Sequence, residues 1–320
     1  MGFFKEYVAE LRVVGILGLL LFLVVFLNNR IERLERSLQD RSPEEQPAET
    51  PALMDARPLM AISFDLPDSI SFAGEPAPLD RPDVREQLDK EMQINIYFHS
   101  NTIFLIKRAN QWLPQFQEIL RKYNIPDDFK YLPLIESALL NDISPRNAVG
   151  FWQIVKSAGK EFGLEITNEV DERYDPIRST EAACKYLKKA YQRFGSWTLA
   201  AASYNRGMSG LDRSLEKQKV DSYYDLYLND ETSRYVFRLL AIKQIVENPG
   251  QYGFVISDRH LYKRDSVQWL EVTRSIPNLV DFAQEHGTNY KLLKRLNPWL
   301  RDDHLTVRAG NTYRIAIPIM

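Results

Sequence analysis

One cysteine, Cys184, stands among 320 residues. A lone thiol excludes an internal disulfide framework and any cysteine-based zinc site. No cysteine lies near the N-terminus to carry a lipid. Histidine is almost as scarce. His99, His260, His286 and His304 are scattered without metal-ligand spacing, so neither a metal nor a cofactor is expected. No charge sign predominates: 41 Lys and Arg face 43 Asp and Glu, a formal net charge of -2. That balance gives no basic footprint for nucleic acid. Gly15 and Gly18 sit inside an apolar run and not after a strand, which excludes a phosphate-cradling loop there. Clear strand alternation is missing between Asp83 and Pro249.

What is present divides the chain. Val13 to Leu27 form 15 uninterrupted apolar residues, the one long hydrophobic run. At 1.5 Å per residue this reaches about 22 Å, short of a hydrocarbon core of roughly 30 Å. Arg12 can snorkel, and Tyr7 and Val8 extend the apolar side, so a single membrane span over residues 8–29 is expected. A cleaved signal peptide is the alternative. The following NNRIERLERS offers no small-x-small cleavage pattern, which favours an uncleaved anchor. Ile31, Leu34 and Leu38 continue a helical spacing, and a Pro/Glu-rich tether follows.

From Asp83 onward the pattern is helical. Val84, Leu88 and Met92 share one face, as do Trp112, Phe116, Ile119 and Leu120 within a helix expected over Phe104 to Tyr123. Pro126-Asp127-Asp128 reads as a helix start for the segment YLPLIESALL. Thr180 to Phe194 forms another amphipathic helix, with Gly195 as its cap, and Thr232 to Glu247 a further one. The texture changes after Gly253. Val267 to Val272 reads as a strand, Asn278 to His286 and Tyr290 to Leu296 as short helices, and Tyr313 to Ile319 as a closing strand, giving a small βααβ module. The expected organisation is an anchor and helical extension over 1–40, a tether over 41–66, a helical domain over 67–254 and the βααβ module over 255–320. The fold class is therefore mainly α.

Glu136 is the foremost candidate for chemistry. On a continuous helix its neighbours three and four residues away are Leu132, Pro133, Leu139 and Leu140, all apolar. Such surroundings disfavour the charged carboxylate and keep a proton available for a leaving-group oxygen. A Glu turned to solvent, or bonded to a structural partner, is the competing reading. Gly150-Phe151-Trp152-Gln153 offers aromatic platforms for sugar faces, or alternatively a core turn. Tyr204, beside Asn205, has a phenol able to hold the Glu136 carboxyl; alternatively that segment is a helix end capped by Gly207. Asp142 is either a turn residue or a second carboxylate.

Glu136-Ser137, Gly150-x-x-Gln153, Tyr174-Asp175-Pro176, Ala202-x-Tyr204-Asn205-x-Gly207 and Glu231-Thr232-x-x-Tyr235-Val236 occur in that order. Together they resemble the lytic transglycosylase family with the lysozyme-like (soluble lytic transglycosylase) domain, over roughly Leu79 to Tyr252. The resemblance implies a lysozyme-like helical fold. It also implies cleavage of the β-1,4 bond between N-acetylmuramic acid and N-acetylglucosamine in peptidoglycan, with 1,6-anhydromuramic ends and no net addition of water. By the same carry-over Glu136 is acid and then base, Ser137, Ser144, Gln153 and Asn205 bind substrate, and Tyr204 positions Glu136. The interval from Glu136 to Ser144 is one residue shorter than the family's, and Asp142 stands where the family often has Ala. The βααβ module is similar to a LysM, a peptidoglycan-binding unit, in Leu279-x-x-Phe282-Ala283-x-x-x-Gly287 and Gly310-x-x-Tyr313-x-Ile315-x-Ile317-Pro318. The partners implied are glycan strands and a membrane through the N-terminal helix. A murein substrate would place the catalytic domain in the periplasm, anchored to the inner membrane. A hydrolysing lysozyme on the same fold and a non-catalytic murein-binding scaffold are the rivals.

Overall fold

The computed structural model describes residue 32 and residues 62–319. The expected anchor over 8–29, the rest of 1–40 apart from Glu32, and the tether up to residue 61 lie outside the described residues. Among the described residues no helix is long and apolar enough to cross a membrane. From Ser63 onward the chain forms one compact unit.

That unit begins with Phe64 and Leu66 packed on the helical core. A two-residue hairpin follows, β1 (Ser71–Phe72) with β2 (Glu75–Pro76). Four long helices supply most of the rest: α1 (Pro82–Tyr97), α2 (His99–Tyr123), then, after two short helices, α3 (Leu132–Ser137) and α4 (Lys156–Glu161), α5 (Pro176–Phe194), and later α8 (Asp230–Glu247). Between the last two lie α6 (Trp197–Arg206) and α7 (Met208–Gln218).

Local chemistry sets these boundaries. The Asp175 carboxylate accepts the backbone N–H groups of Ile177 (2.7 Å) and Arg178 (3.1 Å), with Pro176 at the first helical position. At the other end Gly195 takes φ +67°, a left-handed cap. Helix α6 starts at Ser196, but a second acceptor comes from the hairpin. The Glu75 carboxylate takes the N–H groups of Trp197 (2.6 Å) and Thr198 (2.9 Å) and the Ser196 hydroxyl (2.8 Å). Burial opposes its charge, yet these bonds win and hold the Glu75 carboxyl below the usual range. Ala182, Ala183 and Ala190 of α5 and Ala200 to Ala202 of α6 are buried, and side chains this small let the two helices approach closely. Cys184 is fully buried among them as a small core residue, and burial pushes its thiol up to about 12.

Helix α8 is apolar on more than one face. Tyr235, Val236, Leu239, Leu240, Ala241, Ile242 and Ile245 are all buried, so it runs through the core and not along its surface. The aperiodic apolar residues of α8 therefore make it the wall against which α1 and α3 pack.

The C-terminal module has the expected βααβ order. Strand β3 (Val267–Val272) pairs antiparallel with β4 (Tyr313–Pro318), in a register from Val267 opposite Pro318 to Val272 opposite Tyr313. Helices α9 (Leu279–Glu285) and α10 (Tyr290–Leu296) each start on an Asn cap, Asn278 and Asn289. Ile276, Leu279, Leu293, Leu305, Ile315 and Ile317 form a separate core, joined by Val170 from the helical domain. The two parts are tied there: the Asp171 N–H donates to the Trp299 carbonyl and the Arg301 N–H to the Glu169 carbonyl.

Asn297 holds this module closed. Its side chain is fully buried, donates to the carbonyls of Leu293 (2.9 Å) and Ala316 (2.7 Å), and accepts the Ala316 N–H (2.7 Å). Asn297→Ala strands both Ala316 backbone groups. It is expected to cost about 3 kcal/mol, read as a fall in the urea midpoint of the transition that reports the βααβ part.

Candidate active site

Glu136 occupies the last full turn of α3, and here the structure departs from the sequence expectation. The helix does not continue through Leu140. It stops at Ser137, because Ala138 (φ +51°) and Leu139 (φ +59°) both enter the left-handed region. Two non-glycine residues there cost on the order of 1 kcal/mol each. The surroundings hold them in place. Arg108 donates to the Leu139 carbonyl (2.6 Å) and Arg238 to the Ile135 carbonyl (3.0 Å), two guanidinium groups on the carbonyl-rich end of α3. Leu139 and Leu140 are thus not face neighbours of Glu136. Leu140 is partly exposed, and the desolvation has another source.

That source is α8. The Tyr235 hydroxyl donates to Glu136 Oε1. Glu136 is half-buried. Burial is the largest influence and raises the carboxyl to about 7; the Tyr235 hydrogen bond and Arg238 pull the other way, and Glu231 adds to the rise. The Tyr235 phenol is itself held far above its ordinary value, first by burial and then by the Glu136 charge, so it remains a donor.

The sequence expectation gave this positioning role to Tyr204. The Tyr204 hydroxyl instead donates to the Trp152 carbonyl at 2.8 Å. Tyr204 still lies close to Glu136, whose charge helps to raise its phenol after the larger effect of burial. Sequence reasoning quoted Tyr235 within a motif but assigned it no role.

The segment from Gly150 to Gln153 is a core turn. Phe151 and Trp152 are buried, and the Trp152 indole donates to the Thr180 hydroxyl (2.7 Å), so neither ring offers a face to a sugar. The turn instead shapes the site through its carbonyls. Ser137 donates to the Phe151 carbonyl (2.9 Å), pinning the residue after Glu136. Gln153, at φ +46°, folds its amide back on the carbonyls of Gly150 (2.9 Å) and Asp142 (3.1 Å). Ser144 closes a loop by accepting the Ala148 N–H (3.0 Å). The turn wraps around Arg173, which pairs with Asp171 (2.7 Å) in the interior and donates to the carbonyls of Asn147 (3.2 Å) and Ile154 (3.3 Å).

Asn205 sits on the other flank. It donates to Glu231 (3.0 Å) and accepts the Thr232 hydroxyl (2.8 Å). The charge of Asp142 acts on Arg108, while the carboxylate whose charge bears on Glu136 is Glu231. The structure therefore gathers Glu136, Ser137, Tyr204 and Tyr235, places Asn205 beside them through Glu231, and leaves Gln153 and Ser144 in the loop that frames them.

A half-buried acid at a helix end is thus held by a phenol from the central helix α8 and framed by this loop. Residues 114–226 match the family model described as the transglycosylase SLT domain, and residues 268–320 that of the soluble lytic transglycosylase C-terminal LysM-like domain. Among curated proteins the chain is similar to membrane-bound lytic murein transglycosylase D of Escherichia coli (strain K12), 32% identical over 195 residues, 58% of this chain and 42% of the relative. It is also 32% identical over 126 residues to a putative tributyltin chloride resistance protein of Alteromonas sp. (strain M-1), 39% of this chain and 61% of that protein. The chain thus matches less than half the length of the Escherichia coli relative.

Proposed function

We propose that the chain is a peptidoglycan lytic transglycosylase with Glu136 as its acid and base. The observation that carries this reading is the Glu136 carboxyl, raised to about 7 by burial and held by one phenol. A carboxyl that keeps its proton near neutrality can donate it to the glycosidic oxygen as the muramic C1–O bond breaks. The glucosamine leaves as an alcohol, and positive charge develops at C1. The Tyr235 hydroxyl then stabilises the carboxylate that forms. That carboxylate takes the proton of the muramic C6 hydroxyl as its oxygen bonds to C1, which closes the 1,6-anhydro ring and restores the acid. No water is consumed, so one carboxyl does the work that hydrolytic glycosidases divide between two. Asn205, Ser137, Ser144, Gln153 and Tyr204 shape the groove around this step.

The domain limits follow the same reading: anchor and helical extension over 1–40, tether over 41–66, catalytic domain over 67–254 and LysM-like domain over 255–320. The apolar run from Val13 to Leu27 supports attachment to the inner membrane with the catalytic part in the periplasm, and the Escherichia coli relative is named membrane-bound.

Two outcomes check the site. Mass spectrometry of murein digested by the full chain should find 1,6-anhydromuramic ends. Reducing muramic ends would support the hydrolysing lysozyme instead, and no release would support the scaffold. Tyr235→Phe removes a hydrogen bond that favours the charged carboxyl. It should lower kcat by roughly 10- to 100-fold and move the alkaline limb of the pH–rate profile upward; an unchanged limb would remove Tyr235 from the mechanism.

A further inference from the structure

Glu231, Tyr235 and Arg238 occupy one stripe of α8, at spacings of four and three residues. The last two grip consecutive residues of α3. The Tyr235 hydroxyl donates to the Glu136 carboxyl, and Arg238 Nη2 donates to the Ile135 carbonyl (3.0 Å). That carbonyl has no backbone donor among the described residues, because the helix stops too soon. The Ala138 N–H turns to the Leu134 carbonyl and the Leu139 N–H to the Pro133 carbonyl. A carbonyl orphaned at a buried helix end needs a side chain, and Arg238 supplies it.

The charge of Arg238 is not spent elsewhere. Arg234, one turn earlier on α8, is paired with Glu91 and Asp230. Arg238 is half-buried and has no ion-pair partner among the described residues; its guanidinium ends on a carbonyl. The charged and titratable groups that face the Glu136 carboxyl are Tyr235, Arg238 and Glu231 of α8 and Tyr204 of α6. Arg238 is the cation of that set, and its charge opposes burial while Glu231 adds to it. Arg108 grips the other side of the left-handed turn, at the Leu139 carbonyl (2.6 Å), but it is not among the groups that bear on Glu136. The two guanidiniums hold the same turn and differ in electrostatics.

We propose that Arg238 is a positioning residue for Glu136: it ties the end of α3 to α8 and keeps an unneutralised positive charge beside the carboxyl while that carboxyl is ionised. The inference rests on the lytic transglycosylase reading, in which Glu136 gives its proton to the leaving oxygen and then takes one from the C6 hydroxyl. Between those two events a carboxylate stands in surroundings that disfavour its charge. Arg238 offsets that cost through space, and Tyr235 does so by its hydrogen bond. Arg238 neither gives nor receives the transferred proton.

Carbon-13 NMR of the full chain, with glutamate labelled at Cδ, reads the Glu136 titration without turnover, and Glu136→Gln assigns the resonance. The parent carboxyl should titrate at about 7. Arg238→Gln removes a cation that favours the charged form, so the midpoint should rise. Arg238→Lys keeps the charge and should return the midpoint to that of the parent. Arg108→Gln loosens the same turn and should leave the midpoint in place. Initial rates on soluble murein glycan strands complete the test. Arg238→Gln should lower kcat by about tenfold, with KM unchanged and the alkaline limb moved upward. Arg238→Lys should restore the limb and part of kcat. Where Gln destabilises the fold, Arg238→Met repeats the comparison. A midpoint unmoved by loss of the Arg238 charge, or moved equally by Arg108→Gln, would overturn the proposal. A midpoint that moves as expected in a chain releasing no anhydromuramic product would sink the transglycosylase reading instead, and leave the tie from Arg238 to Glu136 standing.

Discussion

Glu136→Gln is expected to abolish murein cleavage, with kcat reduced about a thousandfold or more, while the fold is retained. Gln keeps the shape and the capacity to accept from Tyr235, but it cannot deliver a proton. The substitution also carries a stability signature. The carboxyl is raised in the folded chain to about 7 from an ordinary 4.5. Between those values the native state binds more protons than the unfolded state, so stability falls as pH rises through this window. The full loss above pH 7 is on the order of 3 kcal/mol. Glu136→Gln removes it: the variant should melt with the parent at pH 4, where both states are protonated, and above it at pH 8. Activity of the parent should fall above about pH 7, where the acid loses its proton before the first step. Equal melting of parent and variant at pH 8 would mean that the carboxyl is not held in its protonated form.

Gly150→Ala should have the second-largest effect. Gly150 takes φ +80°, and a Cβ there would lie 2.1 Å from the Arg173 carbonyl oxygen, which is backbone and cannot swing aside. The expected cost is about 3 kcal/mol or more, together with roughly a hundredfold loss of kcat. The loss of activity follows from connectivity. Shifting this turn displaces the Phe151 carbonyl from Ser137 and the Trp152 carbonyl from Tyr204. A variant that melts normally yet loses activity would separate the two effects; one that keeps both would refute the close approach. Thermal melting beside initial rates on the same preparation decides it.

The sequence revealed different parts of this molecule unequally, for physical reasons. Helix α5 is legible from its apolar stripe and its glycine stop, which act locally, but the sequence reading begins it at Thr180 and misses the Asp175-Pro176 start. The βααβ order was equally visible, since alternation and Asn caps act over a few residues. The β1–β2 hairpin was not, because two-residue strands carry no periodicity, and the Glu75 cap on α6 joins residues more than a hundred positions apart. Glu136 was found for a reason that was partly mistaken. Its burial is expected from a continuous apolar helix face, whereas α3 stops one residue later and the carboxyl meets Tyr235 of α8, with Tyr204 of α6 close by. Tyr235, 99 residues away, could not be paired with it by spacing. Gly150 stands in the sequence only as part of a motif, and the reason for glycine there is the Arg173 backbone packed against it.

The central claim is that the muramic C6 hydroxyl, and not water, captures C1. Digestion of murein by the full chain in water enriched in oxygen-18 tests it most directly. New muramic ends without the heavy isotope, at the mass of the 1,6-anhydro form, are the expected result. Heavy oxygen at C1 of newly released muramic ends would contradict it and make Glu136 the acid of a hydrolase.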